Sequence, residues 1–199
     1  MTFLSVDRVT TAAEIQGRAF FDDPLFAYVF PDLSERRNAL PWLMGVGLRY
    51  GISFGEVHTN AGEMRAHAVW LPPGRTDVDQ DGMHVSGFGD APSVMSAASI
   101  TRFGAFLEQV GPVHAQLMPD PHWYLMILGV DPPHQGKGIG GAMMQSVLAR
   151  ADADRLPCYL ETAQERNVGF YRRFGFEVVN EHWIGDDGPR VWMMTRRPR

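Results

Sequence analysis

Seven residues, Gln135-Gly136-Lys137-Gly138-Ile139-Gly140-Gly141, stand between an apolar run, His122 to Val130, and a stretch with helical spacing. Successive backbone N–H groups in such a loop can form a concave nest, and the helix start behind it adds partial positive charge. The glycines remove the Cβ atoms that would block a bulky anion. The chemistry this suits is the holding of a phosphate or pyrophosphate. Three loop types compete for it. A nucleotide P-loop needs a hydroxyl after its Gly-Lys pair to hold magnesium, and here Gly136-Lys137 is followed by Gly138. A dinucleotide fingerprint G-x-G-x-x-G is present at Gly136, Gly138 and Gly141, and Glu161 follows on the next apolar run. Its glycines should follow the strand at once, however, and here residues 131–135 intervene, late in the chain. The pattern Q-x-x-G-x-G is matched in full by Gln135, Gly138 and Gly140.

The elements that must position this loop are a buried strand over 122–130, a helix over about 138–154 and a second buried strand over 157–162. Two strands joined by a helix are expected to lie parallel, with a right-handed crossover. After them come a short helix over 167–174 stopped by Gly175, then a hairpin of residues 177–182 and 190–195. Before them, Thr11-Ala12-Ala13-Glu14 has capping-box form and predicts a helix over about 11–21. Asp23-Pro24 ends it and starts a short helix. Residues 34–50 have helical spacing, with Pro41 expected to kink or split them. Residues 55–60 and 63–71 read as strands around a turn at Asn60-Ala61-Gly62. Residues 72–90, rich in Pro, Gly and Asp, read as an exposed loop, and 91–118 as helix, broken at Gly111-Pro112.

Two segments, LGVDPPHQGKGIGGAMM and LETAQERNVGFYRRFGFEVV, resemble the coenzyme-A-binding half of the GCN5-related N-acetyltransferase (GNAT) family. The resemblance covers about residues 122–197. It implies an α/β fold: a central, mostly antiparallel sheet with one parallel, splayed strand pair (122–130 and 157–162), flanked by helices. It also implies a single acetyltransferase domain over 1–199. Residues 1–121, with a helical insertion near 91–118, would form the acceptor side, and 122–199 would bind acetyl-CoA. Cofactor contacts would come from Leu128, Gly129 and Val130 on the first strand, where Gly129 suits a bulge or a close backbone approach. The loop Gln135, Gly136, Lys137, Gly138, Ile139, Gly140 and Gly141 would hold the phosphates. Asn167 would reach the same ligand, although a helix N-cap also explains it.

Tyr171 matches the family's tyrosine near the thioester sulfur, where a phenol can protonate the departing thiolate. Packing among Phe170, Phe174 and Phe176 is the alternative. Glu161, at the end of the second strand, is the best-placed carboxylate to take a proton from an ammonium or to orient it. His114 and His122 read as structural or exposed, and Asp22 and Asp23 as a turn and helix cap. HQGKG, LET followed by RN and FY, and the ending GPR-x-W-x-MTR make the chain most similar to family members that acetylate the aminoacyl-nucleoside puromycin. The implied activity is acetyl transfer from acetyl-CoA to a primary amine of a small molecule, in one ternary complex. Three other readings weighed against it are a protein N-terminal or lysine acetyltransferase, a non-catalytic coenzyme-A sensor and a nicotinamide-dependent oxidoreductase.

Composition bounds these readings. The 199 residues carry a formal net charge of -5, with 45% hydrophobic and 21% charged residues. That describes an ordinary globular chain and a poor nonspecific nucleic-acid binder, which needs clustered Lys and Arg. The lone Cys158 permits no internal disulfide or multi-cysteine zinc site, reads as a buried inert thiol and suits a cytoplasmic setting. No His pair has metal-ligand spacing on a helix, no signal peptide is expected, and no run has the length of a membrane span. A homodimer is compatible with all of this.

Overall fold

The computed structural model describes residues 1–199. A two-residue strand, β1 (Thr2–Phe3), leads into helices α1 (Val9–Ala19), α2 (Pro24–Val29) and α3 (Leu33–Phe54). Strands β2 (Glu56–Thr59) and β3 (Ala66–Leu71) follow, then helices α4 (Gln80–Val85), α5 (Ala91–Val94) and α6 (Ala97–Leu117). The second half runs β4 (Trp123–Val130), α7 (Ile139–Ala153), β5 (Cys158–Thr162), α8 (Glu165–Arg172), β6 (Glu177–Trp183) and β7 (Arg190–Arg196). The seven strands make one sheet in the order β1-β2-β3-β4-β5-β7-β6, antiparallel except for the parallel pair β4 and β5. This is the mixed sheet flanked by helices that the family resemblance implies. No helix is long and apolar enough to cross a membrane.

Side-chain alternation along the strands divides the core. Cys158 and Leu160 of β5 and Trp192 and Met194 of β7 pack with Met143, Met144 and Val147 of α7 on one face. Tyr159 of β5 and Val191 and Met193 of β7 face the other way, toward α2, α3 and α6. Glu161 shares that second face with Tyr159, two residues away on the same strand.

Several local expectations are corrected. α1 begins at Val9, so the box Thr11–Glu14 lies inside the helix and caps nothing. α3 runs unbroken through Pro41. A proline removes only one backbone donor, and this one is seated against Gly17 of α1, where a Cβ would stand 2.6 Å from Pro41 Cγ. α6 likewise passes through Pro112, and the break in that region falls at Met95-Ser96, where the Ser96 hydroxyl accepts from the Ser99 N–H. Residues 72–90 are not simply loop. They contain α4, whose Met83 is buried in the core and whose start is capped by Asp79. Asn167 lies inside α8 rather than at its N-cap, which is Gln164. Asp23 does cap α2, accepting from the Leu25 N–H at 3.0 Å.

Candidate active site

β4 and β5 are in register only at Trp123 with Cys158 and Tyr124 with Tyr159. Beyond Tyr124 they part, leaving a wedge between residues 125–130 and 160–162. The groups lining the wedge follow from the ladder on the far side of β4. The Asp131 N–H donates to Arg65 O, and the pairs Ala66 with Val130 and Ala68 with Leu128 continue that register. Antiparallel pairs alternate between inward and outward hydrogen bonding, so the N–H and C=O of Leu128 and Val130 turn away from β3, into the wedge. Gln135 Nε2 already donates to Val130 O at 3.0 Å.

The strand bulge sits at Met126, not Gly129. Val69 is opposite Ile127 and Trp70 opposite Leu125, so Met126 has no partner. The extra residue puts Met126 and Ile127 on the same face and bends the strand. Gly129 serves the close approach instead. A Cβ there would collide with Gln16 Oε1, and Gln16 Nε2 donates to Gly129 O at 3.2 Å. Gln16 Nε2 also lies 2.9 Å from Nδ1 of the buried His67, whose pKa burial pushes down to about 4.

At the end of the wedge, the loop turns into α7. Gly136 and Gly138 have φ of +74° and +79°, a region that side chains rarely adopt, and open space surrounds both. Gly138 precedes Ile139, the first helical residue, and the first intrahelical bond runs from the Ala142 N–H to Gly138 O. The N–H groups of Ile139, Gly140 and Gly141 are therefore left without helical partners at a positive helix end. This cradle fits a phosphate group, since any Cβ on Gly136 or Gly138 would be strained and would occupy the open side. Gly141 differs: its Cα packs on Phe174, whose Cζ would stand 2.6 Å from a Cβ. Lys137 is exposed, its Nζ donating to Pro133 O.

Tyr171, Asn167, Glu161 and Leu128 come together around one cavity of about 170 Å³ beside the wedge, whereas the loop 135–141 lies outside it. Asn167 and Tyr171 are four residues apart on α8 and share a face. Asn167 Nδ2 approaches Thr162 Oγ1 at 3.4 Å. Of the 23 lining residues 18 are hydrophobic, including Phe20, Phe26, Phe103 and Phe106. Such a lining desolvates the few polar groups it holds. Tyr171 is only 6% exposed, and burial, then the charge of Asp23, raises its pKa, so the phenol keeps its proton at neutral pH. Burial lifts Asp23 to about 6, opposed by the Leu25 N–H and Arg166.

Glu161, with its side chain 9% exposed, is raised to about 7 by burial, while the hydroxyls of Tyr124 and Tyr159 pull it back down. The buried Tyr159 hydroxyl faces this carboxylate at a geometry short of a full hydrogen bond. A carboxylate at about 7 can both accept and release a proton near neutral pH.

Sequence reasoning missed the aromatic wall, because it comes from the residue after α1, from α2 and from α6, far apart in the chain. It also set Asp23 aside as a cap, although Asp23 both caps α2 and lines the cavity. Cys158 is buried and its thiol is pushed up to about 12, which leaves it inert.

Comparison with known proteins agrees with this geometry. Residues 78–176 match the Acetyltransferase (GNAT) family. An uncharacterised N-acetyltransferase of Schizosaccharomyces pombe is 26% identical over 187 residues, 90% of this chain and 76% of that one. A Corynebacterium glutamicum structure described as histone acetyltransferase HPA2 and related acetyltransferase superposes with a TM-score of 0.64. It is 24% identical, covering 100% of this chain and 95% of that one. Arylalkylamine N-acetyltransferase 2 of Aedes aegypti gives a TM-score of 0.63 at 15% identity, covering 100% and 98%. With a GNAT-type sheet, its splayed strand pair and the family match over residues 78–176, the chain is an acyl-CoA-dependent N-acetyltransferase of GNAT type.

Proposed function

We propose that this enzyme transfers an acetyl group from acetyl-CoA to the primary amine of a small, largely apolar molecule in a single ternary complex. The observation that carries the proposal is the cavity beside the wedge, where a buried phenol and two buried carboxyl groups, Glu161 and Asp23, line a largely hydrophobic wall. Acetyl-CoA supplies the activated thioester. The loop of Gln135, Gly136, Lys137, Gly138, Ile139, Gly140 and Gly141 holds its phosphates, mainly through backbone N–H groups. Leu128 and Val130 offer their outward backbone groups to the pantetheine arm, Gly129 between them keeps the strand seated against Gln16, and Asn167 steadies the arm from α8. Glu161 takes the proton from the acceptor's ammonium, which cannot attack while its nitrogen lone pair is occupied. Tyr171 holds its proton until the sulfur departs, then hydrogen-bonds or protonates it.

The hydrophobic lining selects the acceptor. Away from Glu161 and Asp23, a second cation on the amine would have to be buried against phenylalanines, a costly transfer without a partner. Monoamines with aromatic or aliphatic bodies therefore fit, and aminoacyl-nucleosides such as puromycin are the first to try. The buried, inert Cys158 and the absence of disulfides suit cytoplasmic work. A screen of amines with acetyl-CoA, read by thiol release, tests the reading. Aromatic monoamines should turn over well above diamines and polyamines of equal length. Turnover confined to peptide N-termini or lysines would transfer the activity to protein substrates, and no turnover despite coenzyme A binding would leave a sensor.

A further inference from the structure

Two buried histidines stand behind Glu161, and the proposed transfer chemistry gives them no role. His114 comes from α6 and His122 immediately precedes β4. Their Nε2 atoms are 2.8 Å apart, and His122 Nδ1 lies 2.8 Å from Asp120 O. His114 Nδ1 faces Glu161 Oε1 at 4.0 Å. The His114 ring is clamped, stacked on Tyr159 with centroids 3.9 Å apart and edge-on to Tyr124 at 4.8 Å.

This arrangement fixes where the protons sit. A carbonyl oxygen can only accept, so His122 must carry its proton on Nδ1. Its Nε2 is then bare and accepts. His114 must therefore donate from Nε2, which leaves Nδ1 of His114 bare and turned toward Glu161. At 4.0 Å no hydrogen bond is closed, but a bare nitrogen repels a carboxylate, lone pair against lone pair, and tolerates a protonated carboxyl.

We propose that the Asp120 carbonyl, acting through His122, locks His114 in the Nε2–H form, so that His114 favours protonated Glu161 and sets its strength as a base. His114 and His122 are thus positioning residues, acting through Glu161. The inference rests on Glu161 being the base of the proposed reaction, although the effect on its carboxyl can be read without turnover. Both rings stay neutral near pH 7. Burial, then the neighbouring His122, takes His114 down to about 3. Burial also lowers His122, against the pull of the Asp120 carbonyl and the exposed Asp77. The other groups that face Glu161 are the hydroxyls of Tyr124 and Tyr159, while Tyr50 acts on Tyr124 from α3. The phenols stabilise the carboxylate, and the histidine pair works in the opposite direction.

The test follows the Glu161 carboxyl carbon by 13C NMR across pH. His122→Leu removes the acceptor for His114 Nε2–H and frees His114 to place its proton on Nδ1, toward the carboxylate. The midpoint should fall by about half a pH unit, since an N–H turned toward the carboxylate in place of a lone pair favours the charged form. In His122→Gln the side-chain amide can donate to Asp120 O and its oxygen can accept from His114, so the lock is rebuilt and the midpoint should stay near the wild-type value. A midpoint unmoved in His122→Leu, or moved equally in both variants, overturns the proposal. If His122→Leu does not fold, 15N NMR of the wild-type rings decides: Nε2–H on His114 and Nδ1–H on His122 support the lock, and Nδ1–H on His114 overturns it. Glu161→Gln separates the two claims. Full activity in that variant removes Glu161 as base, whereas the carboxyl midpoints still report whether the histidines tune it.

Discussion

A buried carboxyl raised toward neutral pH should weaken the fold, and Glu161→Gln measures by how much. The group titrates at about 7 instead of 4.5, and burial is the main cause. At about 1.4 kcal/mol per pH unit, this amounts to about 3 kcal/mol. The sign follows from which state holds the proton more tightly. The folded value is raised, so the stability is fully present below pH 4.5 and is lost as pH rises through 7. The amide in the variant would not titrate. Plotted against pH, the stability of Glu161→Gln relative to wild type should be flat below 4.5, rise from there to about 7.5 and then level off. His67 and Asp23 are also shifted but occur in both proteins and cancel in the difference, while His114, held down to about 3, stays neutral across the range measured. Urea unfolding at half-unit steps from pH 4 to 9 gives the curve. For a domain of this size the plateau should also appear as a gain of about 6–12 °C in Tm above pH 7.5. A difference that stays constant from pH 5 to 8 would show that Glu161 titrates as an exposed carboxyl does, which would refute both the burial argument and its use as a base near neutrality.

Three further outcomes bear on other parts of the site. Tyr171→Phe keeps the ring but removes the O–H; kcat should drop about 10²–10⁴-fold with little change in the KM for acetyl-CoA or in Tm, as steady-state kinetics and melting will report. Gly138→Asp places a side chain and a negative charge at φ +79° in the proposed phosphate cradle; the thermal shift that coenzyme A gives the wild type, about 2.7 kcal/mol at a hundredfold excess over Kd, should vanish. Gly141→Ala drives a methyl into Phe174, so urea unfolding should show a loss of about 1–3 kcal/mol, with coenzyme A still bound.

The parts of this enzyme that could be read from its sequence are those governed by local pattern. The apolar run ending at Val130, the glycines after it and the run ending at Thr162 predict a strand, a loop, a helix and a parallel strand, and β4, α7 and β5 occupy those places. Errors arose where a tertiary neighbour overrode a local rule. Pro41 should kink or split its helix, yet Gly17 of α1 gives its ring a seat and α3 continues. Gly129 suits a bulge or a close approach, and only the fold decides between them: the close approach is to Gln16, more than a hundred residues away, and the bulge falls on Met126.

Glu161 shows where that limit lies and why it matters. Its position at the end of an apolar strand is a property of the sequence, and from period-two alternation it shares a face with Tyr159. Neither fact says whether its carboxyl is ordinary. That depends on what covers the face, and the cover is α6, whose spacing read as helix but whose partner strand could not be named. Once α6 lies there, His114 stacks on Tyr159 and its Nδ1 turns to Glu161. The same packing that removes water from the carboxyl also determines which of its two protonation states finds a partner. On the proposed mechanism base strength is a tertiary property: it belongs to the contact between α6 and β5, and a substitution at His122, which does not line the cavity, should change it.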